Sequence, residues 1–347
     1  MSTIGFGIVG CGNISTIHAQ AIRSIPQARL VAFHSKSRER AEKMAAQHQA
    51  ECILDYRQFL DRSDISAINI CTPSGTHADL GVQAARAGKH VIVEKPIDVT
   101  LDKARSLIET CRKEGVQLTV IFQSRFLPAV QLLKKAIGRG RFGRLLVADA
   151  TVKWYRAREY YEAARWRGTW ALDGGGALIN QSIHTIDLLQ YLCGPVASVF
   201  GFAEKKLHPY IEAEDTVVAV ARFRSGALGT IEGTTSLYPG FSRRLEIHGE
   251  KGSAILEGND ITFWKLTDQG EEEEELAKLQ NKDLSDGASD PMNLDIAGHR
   301  LQIEDLVHSL HDRRPPLIDG QEGLKALEIV LAVYQSSREN RQIDLAQ

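Results

Sequence analysis

Two groups of side chains in this sequence could carry out chemistry, and they lie in different halves of the chain. In the first group, Glu94, Lys95 and Pro96 follow the apolar run His90–Val93, which is typical of a buried strand. In a doubly wound sheet the carboxyl ends of the strands face the ligand crevice, so a lysine there can present a fixed positive charge to a reacting group. Taken alone, the same tripeptide is equally typical of an exposed turn.

The second group follows three consecutive glycines, Gly174–Gly176. If the next segment is helical, Asn180, His184 and Asp187 are spaced i, i+4 and i+7 and form one polar stripe. Histidine can transfer a proton near neutral pH, whereas asparagine can only orient a ligand by hydrogen bonds. The alternative is a core histidine whose hydrogen bonds are satisfied by Asp187.

A glycine-rich turn lies between the first predicted strand and the first predicted helix. Gly10 permits a tight turn, and Gly12 has no side chain to keep a pyrophosphate away from the helix N-terminus. The third position of the pattern is Ser15, which is small enough for the helix to pack on the sheet. The pattern is weak by itself, but its strand–turn–helix context predicts a dinucleotide site. We expect cofactor contacts here from Gly10, Gly12, Asn13 and Ile14.

The loop after the second predicted strand bears on the choice of dinucleotide. An acidic residue at this position would bind the 2′-hydroxyl of NAD. Ser35 stands there instead, with Lys36 and Arg38 close behind. Hydroxyl and cationic groups suit a 2′-phosphate, so the sequence favours NADP over NAD. The alternative is that the cations only decorate a helix N-terminus, which the helix dipole disfavours.

Aromatic and arginine side chains are interleaved just ahead of the glycine run. Tyr155, Arg156, Trp166 and Arg167 are suited to stacking on a sugar and to pairing with a phosphate or carboxylate, so we expect them in the substrate pocket. The alternative is that the tryptophans pack between domains. No metal site is expected, because neither the cysteines nor the histidines cluster at ligand spacing.

These motifs occur in an order that resembles one enzyme family. The glycine turn is followed by Cys71-Thr72-Pro73 with His77, then by Glu94-Lys95-Pro96, and then by the triple-glycine helix with His184. Over almost the whole chain this order is similar to that of the glucose–fructose oxidoreductase/inositol dehydrogenase/rhizopine-catabolism (Gfo/Idh/MocA) family. The resemblance implies a Rossmann domain followed by a domain with a large open antiparallel sheet. The face of that sheet commonly carries substrate recognition or dimer and tetramer contacts.

The resemblance also implies roles for individual residues. Lys95 matches the family's active-site lysine and His184 its acid/base histidine. Hydride transfer between a nicotinamide and a sugar, sugar derivative or cyclitol is implied, with His184 exchanging the hydroxyl proton and Lys95 stabilising the alkoxide. Asn180 departs from the aspartate usual in the family and cannot shuttle a proton. The matching cofactor positions are Thr72, Pro73, His77, Glu94, Lys95 and Gln123, and the substrate positions include Lys95, Arg125, Asn180 and His184.

Two other functions compete with this one. The first is an NAD-dependent glycosidase that keeps its cofactor bound, and the second is a nucleotide-binding regulator without chemistry. The presence of both Lys95 and His184 is evidence against a regulator. The lack of an export signal disfavours the glycosidase, because its relatives are often secreted.

The part of the chain that must position Glu94, Lys95 and Pro96 alternates between short apolar runs and helical patterns. This alternation predicts a doubly wound parallel sheet with crossover helices. The predicted strands are Ile4–Val9, Leu30–His34, Ala67–Cys71, His90–Val93 and Gln117–Ile121. The predicted helices are Ile14–Ile25, Ser37–Gln47, His77–Ala87 and Leu101–Lys113, with Gly88 and Gly115 as stop signals. We place this NAD(P)-binding Rossmann domain at residues 1–123.

The remaining residues, 124–347, predict an α+β domain for substrate binding and oligomerisation, with the C-terminal helices included. Its alternating, β-branched runs predict an antiparallel sheet. These runs are Thr216–Phe223, Ala227–Thr234, Arg244–His248, Ala254–Glu257 and Ile261–Lys265. The predicted helices are Pro128–Ile137, Gly176–Leu192, Leu301–Leu310 and Gln321–Ser337. The acidic run Glu271–Glu275 and the polar stretch to Asn293 predict a solvated loop.

Composition is that of a globular protein, with 347 residues, 43% hydrophobic and 25% charged. A net charge of −2 gives no basic surplus for nucleic acid or anionic lipid. No apolar run is long enough to cross a membrane, and the five cysteines are scattered without CxxC spacing. We expect a cytoplasmic protein that acts on a small sugar-like molecule and, like the family it resembles, forms a homodimer or homotetramer.

Overall fold

The structure, a computed structural model, describes residues 3–279 and 296–346. Its strands are β1 (Ile4–Val9), β2 (Ala28–His34), β3 (Glu51–Ile53), β4 (Ala67–Ile70), β5 (His90–Val93), β6 (Leu118–Val120), β7 (Leu145–Lys153), β8 (Val196–Glu204), β9 (Thr216–Phe223), β10 (Leu228–Thr234), β11 (Arg244–Gly249), β12 (Gly252–Glu257), β13 (Asp260–Leu266) and β14 (Ile343–Asp344). Its α-helices are α1 (Asn13–Arg23), α2 (Arg38–His48), α3 (Tyr56–Leu60), α4 (His77–Arg86), α5 (Leu101–Glu114), α6 (Pro128–Gly138), α7 (Arg158–Glu162), α8 (Ile183–Cys193), α9 (Glu271–Leu279), α10 (Ile296–Asp312) and α11 (Gly320–Glu339).

The described residues divide into two compact units. The first unit contains the described residues of Met1–Gln123 and Ile296–Leu324. The second unit contains the described residues of Ser124–Asp295 and Lys325–Gln347. Among the described residues, no helix has the length and apolar character needed to span a membrane.

The first unit contains a six-stranded parallel sheet in the order β3-β2-β1-β4-β5-β6. This is the strand order of the Rossmann fold, so the predicted fold class is confirmed. The central strands are buried on both faces, which is why they appear in the sequence as short continuous apolar runs. Gly115 caps α5 in the left-handed conformation, as its place at the end of the helical pattern predicts.

Helix α10 packs in the first unit, although the sequence analysis assigned it to the second domain. Ile303, Leu306 and Val307 are fully buried in the same apolar cluster as the first helix and the sheet. Sequence proximity placed this helix with the second domain, but burial of its apolar face against α1 decides where it lies.

The second unit is built on an eight-stranded sheet in the order β13-β12-β11-β7-β10-β9-β8-β14. Its strands pair antiparallel, as predicted, except that β7 and β10 run parallel. Parallel neighbours need a long crossover connection, and the residues between these two strands supply one that includes α8. Helix α8 packs against β7 and β11 on one face of the sheet.

The acidic run that predicts a loop is helical instead. Glu271–Leu279 forms α9, in which Glu272 is 2% exposed and pairs with Arg139 and Arg141 at 3.0 and 3.3 Å. These arginines supply the positive charge that lets an acidic helix pack, and they lie too far away in sequence to be foreseen. The rest of the predicted loop, residues 280–293, lies outside the described residues.

Candidate active site

The loops that follow the strands of the first unit lie in a row along one edge of its sheet. In each of three loops, the first backbone amide donates a hydrogen bond to the last carbonyl of a neighbouring strand. These bonds run from Gly10 to His34, from Cys71 to Val9 and from Glu94 to Ile70, at 2.8, 2.7 and 3.1 Å. The predicted cofactor residues after β1, β2, β4 and β5 therefore share the carboxyl edge of one parallel sheet, where dinucleotides bind in this fold.

The glycine turn fits a dinucleotide. Gly10 has a φ of 103°, and a Cβ there would lie 2.4 Å from the carbonyl oxygen of Cys71, so only glycine is tolerated. A Cβ on Gly12 would meet nothing within 4 Å, which leaves open space at the start of α1. Gly12 has no side chain to cap this helix, its backbone amide donates to the Ser15 hydroxyl at 3.1 Å, and the first turn contains no acidic residue. An anionic pyrophosphate can therefore approach the N-terminus of α1.

The loop after β2 contains the predicted hydroxyl and cations. Ser35 is half-buried, and its hydroxyl accepts a hydrogen bond from the amide of Ser37 at 3.2 Å. Lys36 and Arg38 are exposed, and Arg38 forms an i,i+4 ion pair with Glu42 at 3.2 Å. This surface pair is weak and leaves the guanidinium available to another anion.

His77 lies at the same edge, but its side chain is enclosed by protein. The residue is 1% exposed, and its ring nitrogens lie 2.8 Å from the carbonyl oxygens of Thr72 and Pro96. It therefore ties the loop after β4 to the loop after β5 and has no ring nitrogen left for a cofactor. The sequence motif did not show that this histidine is buried between two loops, and its contact with a cofactor stays a prediction.

Glu94 and Lys95 follow β5 directly. Glu94 is 7% exposed, and one of its oxygens accepts the backbone N–H of Lys95 at 3.1 Å, whereas the other lies 2.9 Å from Nε2 of His18. Burial opposes ionisation of Glu94, but the hydrogen bond from His18 and the neighbouring His299 outweigh it and hold the pKa of this carboxyl well below its usual range. Lys95 itself is half-buried.

In the second unit, the predicted catalytic helix begins with a π-helical turn, Ala177–Ser182, and continues as α8. Three backbone amides of this turn donate to groups outside the helix. Ala177 donates to the Glu214 carbonyl at 3.2 Å, Leu178 to the Glu214 carboxyl at 2.8 Å and Ile179 to the Tyr334 hydroxyl at 3.3 Å. These acceptors satisfy the orphan amides of the helix start, and the wider turn differs from the regular helix that the sequence predicts.

Gly176 allows this close approach. A Cβ on Gly176 would lie 1.7 Å from the carbonyl oxygen of Glu214, so the glycine run is required for packing here. The Tyr334 hydroxyl donates to the same Glu214 carboxyl at 2.9 Å. Burial raises the pKa of Glu214 to about 7, although its hydrogen bonds act in the opposite direction.

A hydrogen-bond network orients Asn180. Its amide nitrogen donates to Asp173 at 2.5 Å, and its oxygen accepts from Gln181 at 2.7 Å. Asp173 is 2% exposed and also accepts the Gly168 amide at 2.8 Å. Both polar atoms of Asn180 are therefore fixed, which suits a residue that orients a ligand rather than one that transfers a proton.

Two arginines expected in the substrate pocket are buried in this unit. Arg125, 3% exposed, donates to both oxygens of Asp187 at 2.6 and 2.8 Å. Arg156, also 3% exposed, donates to Gln181 at 2.9 Å and lies over the ring of Trp154 at 4.7 Å. These guanidiniums bind protein groups around the helix, and the substrate contacts expected of both stay predictions. Asp187 is buried in the pair with Arg125 and does not continue an exposed polar stripe.

The other predicted substrate residues remain accessible. Tyr155, Trp166, Arg167, Asn180 and His184 are all half-buried. Arg167 stacks on the ring of Tyr160, with its guanidinium carbon 4.0 Å from the ring centroid. Gln123, in the first unit, is also half-buried.

Sequence reasoning missed the residues that hold the helix. Asp173 stands directly before the triple glycine, and that position was a usable signal, because an acidic residue before a glycine run often accepts backbone amides. Glu214 and Tyr334 gave no local signal, since they reach the helix from distant parts of the chain.

Comparison with known proteins gives two family matches. Residues 4–122 match the NAD-binding Rossmann-fold domain of the GFO_IDH_MocA oxidoreductase family. Residues 134–345 match the C-terminal alpha/beta domain of the same oxidoreductase family.

Individual proteins similar to this chain include a solved structure and two dehydrogenases. The structure is the WlbA dehydrogenase from Bordetella pertussis in complex with NADH and UDP-GlcNAcA, which is 36% identical, with a TM-score of 0.91 over 100% of this chain and 99% of that one. Myo-inositol 2-dehydrogenase from Thermotoga maritima is 27% identical over 98% of each chain. Inositol 2-dehydrogenase from Rhizobium meliloti is 29% identical over 99% of this chain and 100% of its own.

Proposed function

The chain belongs to the Gfo/Idh/MocA oxidoreductase family, and on that premise we propose that it transfers a hydride between a nicotinamide dinucleotide and a hydroxyl-bearing carbon of a sugar, sugar derivative or cyclitol. The observation that carries this proposal is the carboxyl edge of the first sheet. There the open glycine turn at Gly12 follows β1, and Glu94 and Lys95 follow β5, the two strands that flank β4 in one sheet.

The cofactor is held by the edge loops in this proposal. Gly10, Gly12, Asn13 and Ile14 receive the pyrophosphate at the start of α1, and Thr72, Pro73, Glu94, Lys95 and Gln123 complete the cofactor side. When bound, the nicotinamide accepts or supplies the hydride.

Proton transfer and charge stabilisation fall to two side chains. His184 takes the hydroxyl proton during oxidation and returns it during reduction. Lys95 supplies a fixed positive charge for the alkoxide that develops at the reacting oxygen. Asn180, fixed by Asp173 and Gln181, orients the substrate hydroxyls. Tyr155, Trp166 and Arg167 contribute stacking surface and a positive charge to the pocket.

The role of Lys95 is tested by Lys95→Ala. We expect turnover to be abolished while the dissociation constant of the cofactor stays within about threefold, because the lost ammonium acts on the alkoxide and the remaining residues of the edge loops keep the cofactor bound. The matched control is Lys113→Ala, an exposed lysine at the end of α5. Steady-state absorbance of the reduced nicotinamide gives turnover, and fluorescence titration gives cofactor affinity. A Lys95→Ala enzyme that keeps most of its activity would remove this residue from the catalytic role.

The substrate is sought in two chemical classes. UDP-linked sugar acids are one, because the WlbA structure contains UDP-GlcNAcA, and free cyclitols are the other, because the inositol dehydrogenases act on them. A panel of both classes is followed by absorbance of reduced nicotinamide. Net absorbance change is expected for a dehydrogenase or reductase, glycoside release without net change would indicate a glycosidase, and binding alone would indicate a regulator.

Two finer points are also proposed. NADP is preferred over NAD. This preference is supported by Ser35, which stands where an acidic residue would bind NAD, and by the exposed side chains of Lys36 and Arg38.

The chain assembles as a homodimer or homotetramer through the open face of the second sheet, where Phe202, Val218 and Val220 are 55, 51 and 53% exposed. The expected cytoplasmic location stays a prediction.

A further inference from the structure

Four elements of the first unit meet in a buried cluster next to Lys95. His18 on α1, Asn69 on β4, Glu94 after β5 and His299 on α10 are all less than 8% exposed. His18 Nε2 lies 2.9 Å from Oε1 of Glu94, and His299 Nε2 lies 3.7 Å from the same oxygen. The other carboxyl oxygen, Oε2, accepts the backbone N–H of Lys95 at 3.1 Å.

The hydrogen-bond roles in this cluster follow from its chemistry. The Asn69 side-chain nitrogen lies 2.7 Å from Nδ1 of His18 and can only donate, so Nδ1 accepts and the ring proton is on Nε2. Nε2–H then donates to Glu94. The ligand atoms of His18, Glu94 and His299 all lie within 4.8 Å of one another, but the 2.9 Å separation of His18 from Glu94 is that of a direct hydrogen bond.

The two hydrogen bonds to Glu94 favour an ionised carboxylate. An ionised carboxylate accepts on both oxygens, whereas the protonated acid turns one oxygen into a donor, and the N–H groups of His18 and Lys95 cannot accept from it. Burial favours the protonated acid, but the two histidines hold the pKa of Glu94 well below its usual range. The charge of Glu94 in turn acts on two further titratable groups nearby, Cys71 and His77.

We propose that His18 and His299 are positioning residues for Lys95, because they keep Glu94 ionised and the carboxylate in turn holds the backbone of the lysine at the carboxyl edge of the sheet. The inference rests on the proposed role of Lys95 and extends it to two histidines. One lies on the helix that receives the pyrophosphate, and the other lies on a helix some 280 residues further along the chain. Neither histidine touches the reacting atoms.

The test compares His18→Gln with His18→Leu. Glutamine keeps an N–H donor for Glu94, whereas leucine has a similar volume and no donor. In the reduction direction His184 acts in its protonated form and does not limit activity at acid pH. There we expect the acid limb of kcat/KM to move to higher pH by about 1 unit in His18→Leu and much less in His18→Gln, with cofactor affinity unchanged within about threefold. His299→Leu should shift in the same direction, and His308→Leu, at an exposed position of the same helix, serves as the control without a shift.

A second measurement needs no substrate. In the wild type, the depressed pKa of Glu94 contributes stability above the unfolded pKa, and this contribution is lost as pH falls through the folded pKa. Burial lowers the pKa of His18 itself, and both substitutions remove that titration, so the two variants are compared with each other. The stability gap between His18→Gln and His18→Leu, from chemical denaturation, should therefore narrow between pH 7 and pH 3. If His18→Leu does not fold, His299→Leu is compared with His299→Gln in the same way.

The experiments can overturn the positioning role of the two histidines and the proposed function independently of each other. The positioning network is overturned if the stability gap between the glutamine and leucine variants is independent of pH at both histidines. It is also overturned if the pH profiles of kcat/KM of the leucine variants superimpose on that of the wild type. A wild-type protein that turns over no member of the substrate panel overturns the proposed function, and the denaturation measurement still decides the network.

Discussion

Ser35 is the residue on which the choice between the two dinucleotides depends. It is half-buried at the end of β2, where a carboxylate would bind the ribose 2′-hydroxyl of NAD. We predict that Ser35→Asp weakens binding of NADP by about tenfold or more and changes NAD binding far less, because a carboxylate repels a 2′-phosphate. Fluorescence titration with both cofactors measures the ratio of the dissociation constants.

Ser35→Asn is the matched control for that substitution, since asparagine has the size of aspartate without its charge. It should leave the ratio of the two affinities within about threefold of the wild type. Equal weakening of both cofactors by Ser35→Asp would mean that Ser35 does not read the 2′ position.

Single residues were predictable from sequence where their task is set by the local backbone. Gly10 and Gly12 are examples, because a tight turn and an open helix start are local properties. Arg125, Arg156 and His77 were assigned to ligands from their types and motif positions, but their side chains end on buried protein groups. The partner of Arg125 is Asp187, 62 residues away, and nothing in the sequence near either residue reveals that pair.

The π-helical turn and α8 depend on Glu214, which accepts the amide of Leu178 from outside the helix. Burial raises the pKa of its carboxyl to about 7, so the folded state binds a proton more tightly than the unfolded state. The resulting stabilisation is complete at acidic pH and is lost as pH rises from about 4.5 to about 7, by about 3 kcal/mol in total. We predict that Glu214→Gln removes this loss, because glutamine keeps the acceptor for Leu178 and does not titrate.

Denaturant unfolding of wild type and Glu214→Gln at several pH values checks that prediction. The difference between their free energies of unfolding should change by about 3 kcal/mol across this window. Glu212→Gln, two residues away and exposed, should follow the wild type. Parallel curves for wild type and Glu214→Gln would show that the carboxyl of Glu214 titrates near its ordinary range.

Elements were predictable where a periodic pattern alone determines them. Thr216–Phe223 was predicted with its observed bounds, because alternate side chains of β9 are buried and exposed along its length. The helix Glu271–Leu279 was predicted as a loop, since the arginines that neutralise its acidic face come from residues 139 and 141. The π-helical turn was also missed, because the acceptors that widen it, Glu214 and Tyr334, are tertiary neighbours.

The assignment of chain segments to compact units depends on burial that sequence order does not show. Helix α10 lies between segments of the second unit in the chain, yet its apolar side chains complete the core of the first unit.

In the sheet of the second unit, by contrast, some apolar side chains are not buried by any part of the described chain. One face is covered by α8, and large apolar side chains remain exposed in the described residues, including Phe202, Val218 and Val220.

This exposed apolar surface predicts that the chain associates with copies of itself through the open sheet face. Val220 lies at its centre, paired with Phe200 on β8 and Thr230 on β10. Val220→Glu should lower the oligomeric mass measured by sedimentation velocity at micromolar concentration, because association would bury an unpaired charge. The monomer should remain folded, since the new side chain points to solvent on an already exposed position. Val220→Thr has the same shape without the charge, so it should keep the wild-type mass. An unchanged mass for Val220→Glu would place the contact between copies on another surface, and a wild-type monomer would rule out the assembly.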